Sequence, residues 1–205
     1  MVSFIDLFLH LDKYIGTIIQ NYGAATYLIL FLVIFSETGL VFFPFFPGDS
    51  LLFVAGTFAS IGVINIFLLF AILSLAAILG DSVNYSIGKY LGKAVFLKRH
   101  WVKEENIKKT QDFFERHGGK TIVLARFIPV IRSFAPFVAG IGRMHYIRFL
   151  AFNITGAILW TASILTLGYF FGAIPFVKDN LSIIIIAIVI LSWIPAVIAW
   201  ISNKK

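Results

Sequence analysis

The sequence contains apolar stretches longer than a bilayer is thick. Phe149 to Val177 runs for 29 residues without a charged side chain, and a helix needs only about 20 to cross the hydrocarbon core. Leu51 to Ile87 runs for 37 residues with Asp81 as its single charge, Ala24 to Phe43 is apolar apart from Glu37, and Leu181 to Ile201 carries no charge. A water-soluble domain cannot cover so much apolar surface. Only 13% of the residues are charged, against about 25% in ordinary soluble domains, and the mean hydropathy is +0.94. The 205 residues therefore predict an all-α polytopic membrane protein, with room for roughly four or five crossings in one compact membrane domain.

There is no cysteine, which excludes disulfides, thiolate catalysis and cysteine-based metal sites. The net charge of +7 is concentrated, because nine of the seventeen basic residues lie between Lys89 and Lys120, against four acids there. Such a block beside membrane spans reads as a cytoplasmic loop, 88–120, facing anionic lipid rather than as a nucleic-acid site.

Residues 1–23 lack the basic start and small-residue cleavage site of a signal peptide. Phe4, Phe8, Leu11, Ile15 and Ile18 recur at helical spacing opposite Asp6, His10, Lys13, Thr17 and Gln20. The pattern predicts an amphipathic helix lying in the interface or docking on a partner. Residues 24–201 form the membrane domain, and 202–205 a basic tail.

Within that domain the spans are broken in two places. Pro44 and Pro47, followed by Gly48 and Asp49, forbid a continuous helix after Glu37. A short half-helix at 50–58 and a full span at about 63–87 follow, with Gly56 and Gly62 as hinges. Thr121 to Gly142 has the same grammar, interrupted by Arg126, Pro129, Arg132 and Pro136. Both segments, about 38–58 and 121–142, read as re-entrant hairpins. Further spans are expected at 149–177 and 181–201, a surface helix at about 103–117, and about three full spans in all besides the broken first one. Basic residues place the loop and both termini in the cytoplasm, so the two hairpins open to opposite faces. A weak repeat supports the inversion: Pro44-x-x-Pro47 with Ala55-Gly56 echoes Pro129-x-x-Arg132 with Ala139-Gly140, and Gly88/Gly92 echoes Gly168/Gly172. Paired broken segments in inverted halves point to a transporter's substrate site.

Charges at membrane depth each cost about 2.5 to 3.5 kcal/mol on insertion scales. Here they are Glu37, Asp49, Asp81, Arg126 and Arg132. Bringing the acids of the first half to the arginines of the second offsets these costs, either as a docking network or around a polar cavity. In the functional reading, Arg126 and Arg132 present guanidiniums to a phosphate, and Glu37 or Asp49 takes up a proton. Asp81, followed by Tyr85, serves equally well as helix packing or as an arginine partner. His10, His100, His117 and His145 have no metal-ligand spacing, so no metal or other cofactor is expected. The sequon at Asn153 falls inside a span, out of a transferase's reach. Trp160, Trp193 and Trp200 fit packing and interface belts.

Taken in order, Glu37-Thr-Gly, Pro44-x-x-Pro47-Gly48-Asp49-Ser50, Gly80-Asp81-x-x-x-Tyr85-x-x-Gly88-x-x-x-Gly92, Arg126-Phe-x-Pro129-x-x-Arg132, Ala139-Gly140, Phe149-x-x-x-Asn153-x-x-Gly156-x-x-x-Trp160 and Gly168-Tyr-x-x-Gly172 closely resemble the bacterial DedA family. It is also called the SNARE-associated or VTT-domain family. The resemblance covers about residues 24–172. It implies a multi-pass inner-membrane protein with two opposed re-entrant hairpins, linked to membrane homeostasis and to proton-dependent transport. It also implies translocation of lipids such as undecaprenyl phosphate or phosphatidylethanolamine. The family's essential acids correspond to Glu37 and Asp49, and its essential arginines to Arg126 and Arg132.

The expected partners are thus membrane lipids and protons, without nucleic acid, and a homodimer is allowed because the Gly-x-x-x-Gly pairs fit helix dimers as well as internal packing. Three alternatives stand beside proton-coupled lipid transport: passive scrambling, a non-transporting scaffold, and an intramembrane aspartyl protease built on Asp49 and Asp81. The last is disfavoured, since Phe46 and Ile78 stand where a Gly-x-Gly-Asp motif needs glycine. No enzyme activity is expected.

Overall fold

The computed structural model describes residues 11–40, 48–92, 119–172, 174–179, 183, 184 and 187. All regular structure among them is helical: α1 Leu11–Tyr22, α2 Ala25–Gly39, α3 Gly48–Ser60, α4 Ile66–Ile87, α5 Lys120–Ala125, α6 Pro129–Ile141, α7 Tyr146–Gly172 and α8 Pro175–Asp179. A π-helical turn, Gly88–Gly92, extends α4. The expected surface helix at 103–117 lies outside the described residues, as do Pro44 and Pro47 and nearly all of the span at 181–201.

Among the described residues, two helices have the length and apolarity to cross a membrane, Ile66–Tyr90 with 25 residues and Tyr146–Gly172 with 27. At 1.5 Å per residue the second is about 40 Å long. The 15-residue α2 reaches only about 22 Å, and the 13-residue α3 and α6 only about 20 Å, short of the ~30 Å core. Short apolar helices at both interrupted stretches are what the prolines and glycines predict.

Several boundaries differ from the sequence reading, each for a local reason. The half-helix expected at 50–58 extends over Gly48–Ser60. The span expected from 63 begins at Ile66, because Gly62 turns the chain with φ 78° and Asn65 caps the new helix. The Asn65 Oδ1 accepts the amides of Phe67 and Leu68 at 3.0 Å, the usual N-cap arrangement. The span expected at 149–177 starts three residues earlier and stops at Gly172, with Pro175 opening a separate short helix. Pro136 does not break the chain as expected. It sits inside α6, where a single proline forfeits one helical hydrogen bond without ending the helix, and the interruption falls at 126–128 instead, with Pro129 at the start of α6.

The chain forms two compact units interleaved along the sequence. The first draws on the described residues within 1–33, 45–73 and 160–205, the second on 34–44 and 74–159. In the first unit, α3 is buried on nearly every side, Leu52, Val54 and Ala55 completely, as expected of a helix apolar all round. Helix α1 docks on it: Ile15 and Ile19 are buried, and Gly16 lets the Phe58 ring approach. The described part of α1 thus packs on the chain's own α3. In the second unit the core gathers Tyr85, Ile122, Ala125, Ala135, Ala139, Met144 and Phe149.

Both units depend on glycine at one close helix contact. In the first, a β-carbon at Gly56 would stand 2.5 Å from the Leu165 carbonyl oxygen, and one at Gly168 would overlap the Phe53 carbonyl. In the second, a β-carbon at Gly140 would overlap the Tyr85 carbonyl, and one at Gly88 that of Phe137. The repeat read in the sequence is thus a repeat of contacts. Gly88, Gly168 and Gly172 pack inside the chain, Gly172 against Thr57.

Candidate functional site

The second unit holds four of the five charges expected at membrane depth. Glu37 stands near the end of α2, Asp81 in the last third of α4, Arg126 at the C-terminal end of α5, and Arg132 one turn into α6. All are buried, at 3%, 5%, 4% and 8% exposure respectively. Two ion pairs form: Arg126 Nη2 donates to Asp81 Oδ2, and Arg132 Nη2 donates to Glu37 Oε1. The two guanidiniums are close enough for their charges to repel, so each needs its own carboxylate. Of the two roles open to Asp81, the geometry selects the arginine partner.

Amides complete the network. Asn153 accepts from Arg126 Nη2 at 2.7 Å and donates to the Ile78 carbonyl at 3.0 Å, tying α7 to α4 through the arginine. Its complete burial is consistent with a sequon out of reach of a transferase. Asn84, also fully buried, donates from one Nδ2 to the carbonyl oxygens of Thr38 at 3.1 Å and Ser133 at 2.8 Å. Those residues adjoin Glu37 and Arg132, so Asn84 fixes both backbones that present the second ion pair. The sequence reading missed it. The available signal was an amide in an apolar helix three residues after Asp81, hence on the same face. Tyr85, named as supporting, donates its hydroxyl to the Met144 carbonyl and stacks on Phe149 with centroids 4.5 Å apart, so it positions the turn between α6 and α7.

Asp49 belongs to the first unit. It lies in the first turn of α3, half-buried, and its Oδ1 accepts the Trp160 indole N–H at 2.8 Å. Trp160 is 1% exposed, so it is a core residue; a buried indole needs an acceptor, and Asp49 supplies it. Gly48 is the first residue of α3. Among the described residues no cluster of His, Asp or Glu has the makings of a metal site.

Taken together, helices of spanning length and charges buried beside interrupted short helices define a helical integral membrane protein. A family model described as the VTT domain matches residues 46–170, and the chain belongs to that family, the DedA family. It is 47% identical over 205 aligned residues to protein DedA of Escherichia coli (strain K12), covering 98% of this chain and 94% of that one. An uncharacterized membrane protein of Mycobacterium leprae is 44% identical over 82% of this chain and 76% of its own. The inner membrane protein YghB of Escherichia coli (strain K12) is 35% identical over 77% of this chain and 73% of its own. No solved structure matches.

Proposed function

We propose that the protein is an inner-membrane transporter that moves a lipid with a phosphate headgroup, undecaprenyl phosphate or phosphatidylethanolamine, coupled to protons. In doing so it supports envelope homeostasis. The supporting observation is that both arginines are buried and each is held by a carboxylate. A guanidinium binds phosphate in the same forked manner as carboxylate. Phosphate can therefore replace the carboxylate, provided the displaced acid loses its charge. Protonation of Glu37 releases Arg132 for the headgroup, and deprotonation returns Arg132 to Glu37 and expels it. Asp49, held by a neutral donor, is the second proton-accepting group. Asp81, Asn153 and Tyr85 keep Arg126 and the adjoining turn in place.

In this reading the segments at 38–58 and 121–142 are re-entrant hairpins of opposite topology, opening in turn to each side. The basic loop at 88–120 and both termini face the cytoplasm. The lipid chain stays in the bilayer while the headgroup crosses.

The test is the purified protein in liposomes containing labelled undecaprenyl phosphate or phosphatidylethanolamine, with and without a pH gradient. Arg126→Ala and Arg132→Ala are expected to lose headgroup movement, and Glu37→Gln and Asp49→Asn to lose its dependence on the gradient. Gradient dependence surviving in both acid variants overturns the assignment of proton coupling to Glu37 and Asp49; movement independent of the gradient in the unaltered protein leaves passive scrambling. The ion pairs also favour a second reading, in which the charges only dock helices and the protein is a scaffold; no movement of either lipid by the unaltered protein under any gradient selects it.

A further inference from the structure

Beside the charged site, the last two turns of α4 carry a groove that the transport reading does not use. It has a volume of about 520 Å³ and lies in the second unit, within the ~300–1,000 Å³ range of small-ligand sites. Leu79, Val83 and Ile87, spaced by four on α4, line it together with Phe35 of α2. Ser82 and Ser86, also spaced by four, line it on the adjacent ridge. The hollow arises because small serines alternate with large apolar residues on adjacent helical ridges. Both hydroxyls are already used: Ser82 donates to the Ile78 carbonyl at 2.8 Å, and Ser86 to that of Ser82 at 2.7 Å. With both serine hydroxyls so used, the stretch along Leu79, Val83 and Ile87 suits a hydrocarbon chain.

Tyr90 and Tyr146 also line it, and exposed Lys89 places its ammonium 5.4 Å from the Tyr90 ring, within cation–π range. Tyr85 holds the Met144 carbonyl, which fixes the turn before Tyr146 against α4. In that turn Arg143, exposed, has φ 51°. The amide of Met144 reaches back to the Ala139 carbonyl and that of Arg143 to Gly140, the helix-ending turn whose left-handed position normally holds glycine. An arginine there carries strain of about 1 kcal/mol or more. Glycine occupies the preceding position, 142, so the left-handed position itself carries the basic side chain.

We propose that this groove binds an anionic phospholipid, one acyl chain lying along Leu79, Val83 and Ile87 and the headgroup phosphate between Lys89 and Arg143. The inference is independent of the transport reading, because it requires no movement of the lipid and no part of the Glu37–Arg132 or Asp81–Arg126 pairs.

The test uses full-length protein in phosphatidylcholine nanodiscs with a trace of phosphatidylglycerol bearing a photoactivatable acyl chain, and maps the label by peptide mass spectrometry. Label is expected on residues 79–90, competed by unlabelled phosphatidylglycerol and not by phosphatidylcholine. Lys89→Gln and Arg143→Gly should each weaken the competition about fivefold, the worth of one basic residue at a membrane surface. Val83→Trp, at an exposed position, should remove the label. Arg143→Gly should also raise the melting temperature, which separates lost binding from lost fold. Equal labelling by a phosphatidylcholine probe, or undiminished competition in both basic variants, overturns the proposal. So does a groove filled by a second copy of the chain, seen as crosslinked dimers that Val83→Trp abolishes.

Discussion

In the first unit Gly56 of α3 lies on the Leu165 and Gly168 backbone of α7; in the second, Gly140 of α6 lies on the Tyr85 and Gly88 backbone of α4. Phe53 and Phe137 supply the reciprocal carbonyls. Around this shared contact the chemistry diverges. The first unit sets one carboxylate, Asp49, against a neutral indole. The second buries two guanidiniums on two carboxylates, with Asn84 and Asn153 spanning the helices. What the two units have in common is close backbone approach, which needs only glycine and drives helix association in membranes. What distinguishes them is charge, which is costly at that depth and is concentrated in the unit where arginines meet broken helices.

The largest effect should come from the shared element. Gly88→Val and Gly168→Val each push a branched side chain into a backbone carbonyl, with no flexible neighbour to yield, and should abolish folding in either unit. Thermal unfolding followed by size-exclusion chromatography in detergent reads this, and a variant that survives in one unit only breaks the equivalence. Next come the ion pairs. Arg132→Leu strands a buried Glu37 carboxylate and should cost about 3 to 5 kcal/mol, most of it recovered in the Glu37→Leu/Arg132→Leu double variant. A double-mutant cycle in mixed micelles measures it, and additive losses would mean that the pair does not couple.

Smaller still are the neutral bridges. Asn84→Leu removes the donor shared by Thr38 and Ser133, and Trp160→Phe the donor to Asp49. Each should cost about 0.6 to 1.7 kcal/mol, the range for hydrogen bonds between membrane helices. A Trp160→Phe loss as large as that of Arg132→Leu would give the first unit's contact the weight of a salt bridge and erase the distinction.

Much of this arrangement was legible in the sequence because membrane-depth charges are few. Glu37, Asp81, Arg126 and Arg132 stand out against apolar runs, and the expectation that acids of the first half meet arginines of the second holds for both pairs. Which acid takes which arginine was not legible, since that depends on the rotation of α4 and α6 about their axes. Asn84 escaped notice because an uncharged amide does not interrupt an apolar pattern. Trp160 looked like packing or belt, because the hydrogen bond of an indole is invisible until its acceptor is placed 111 residues away. Pro136 reads as an interruption on residue type alone, yet a proline at a helix start and one inside a helix differ only in their neighbours' geometry. The interruption came where Arg126 and Pro129 together end one helix and begin the next.

The pairing of α3 with the far end of α7 bears on how the protein is made. The Tyr85 and Gly88 backbone on which α6 packs is already synthesised when α6 emerges, but Asp49 must wait 111 residues for Trp160. At about 5 to 20 residues per second, that is several seconds of ribosome time or more. During this interval α3, the helix most thoroughly enclosed in the finished protein, has none of its α7 contacts. A helix synthesised early is thus completed late, so biogenesis requires the insertion machinery, or the bilayer itself, to shelter a short apolar helix until the end of α7 arrives.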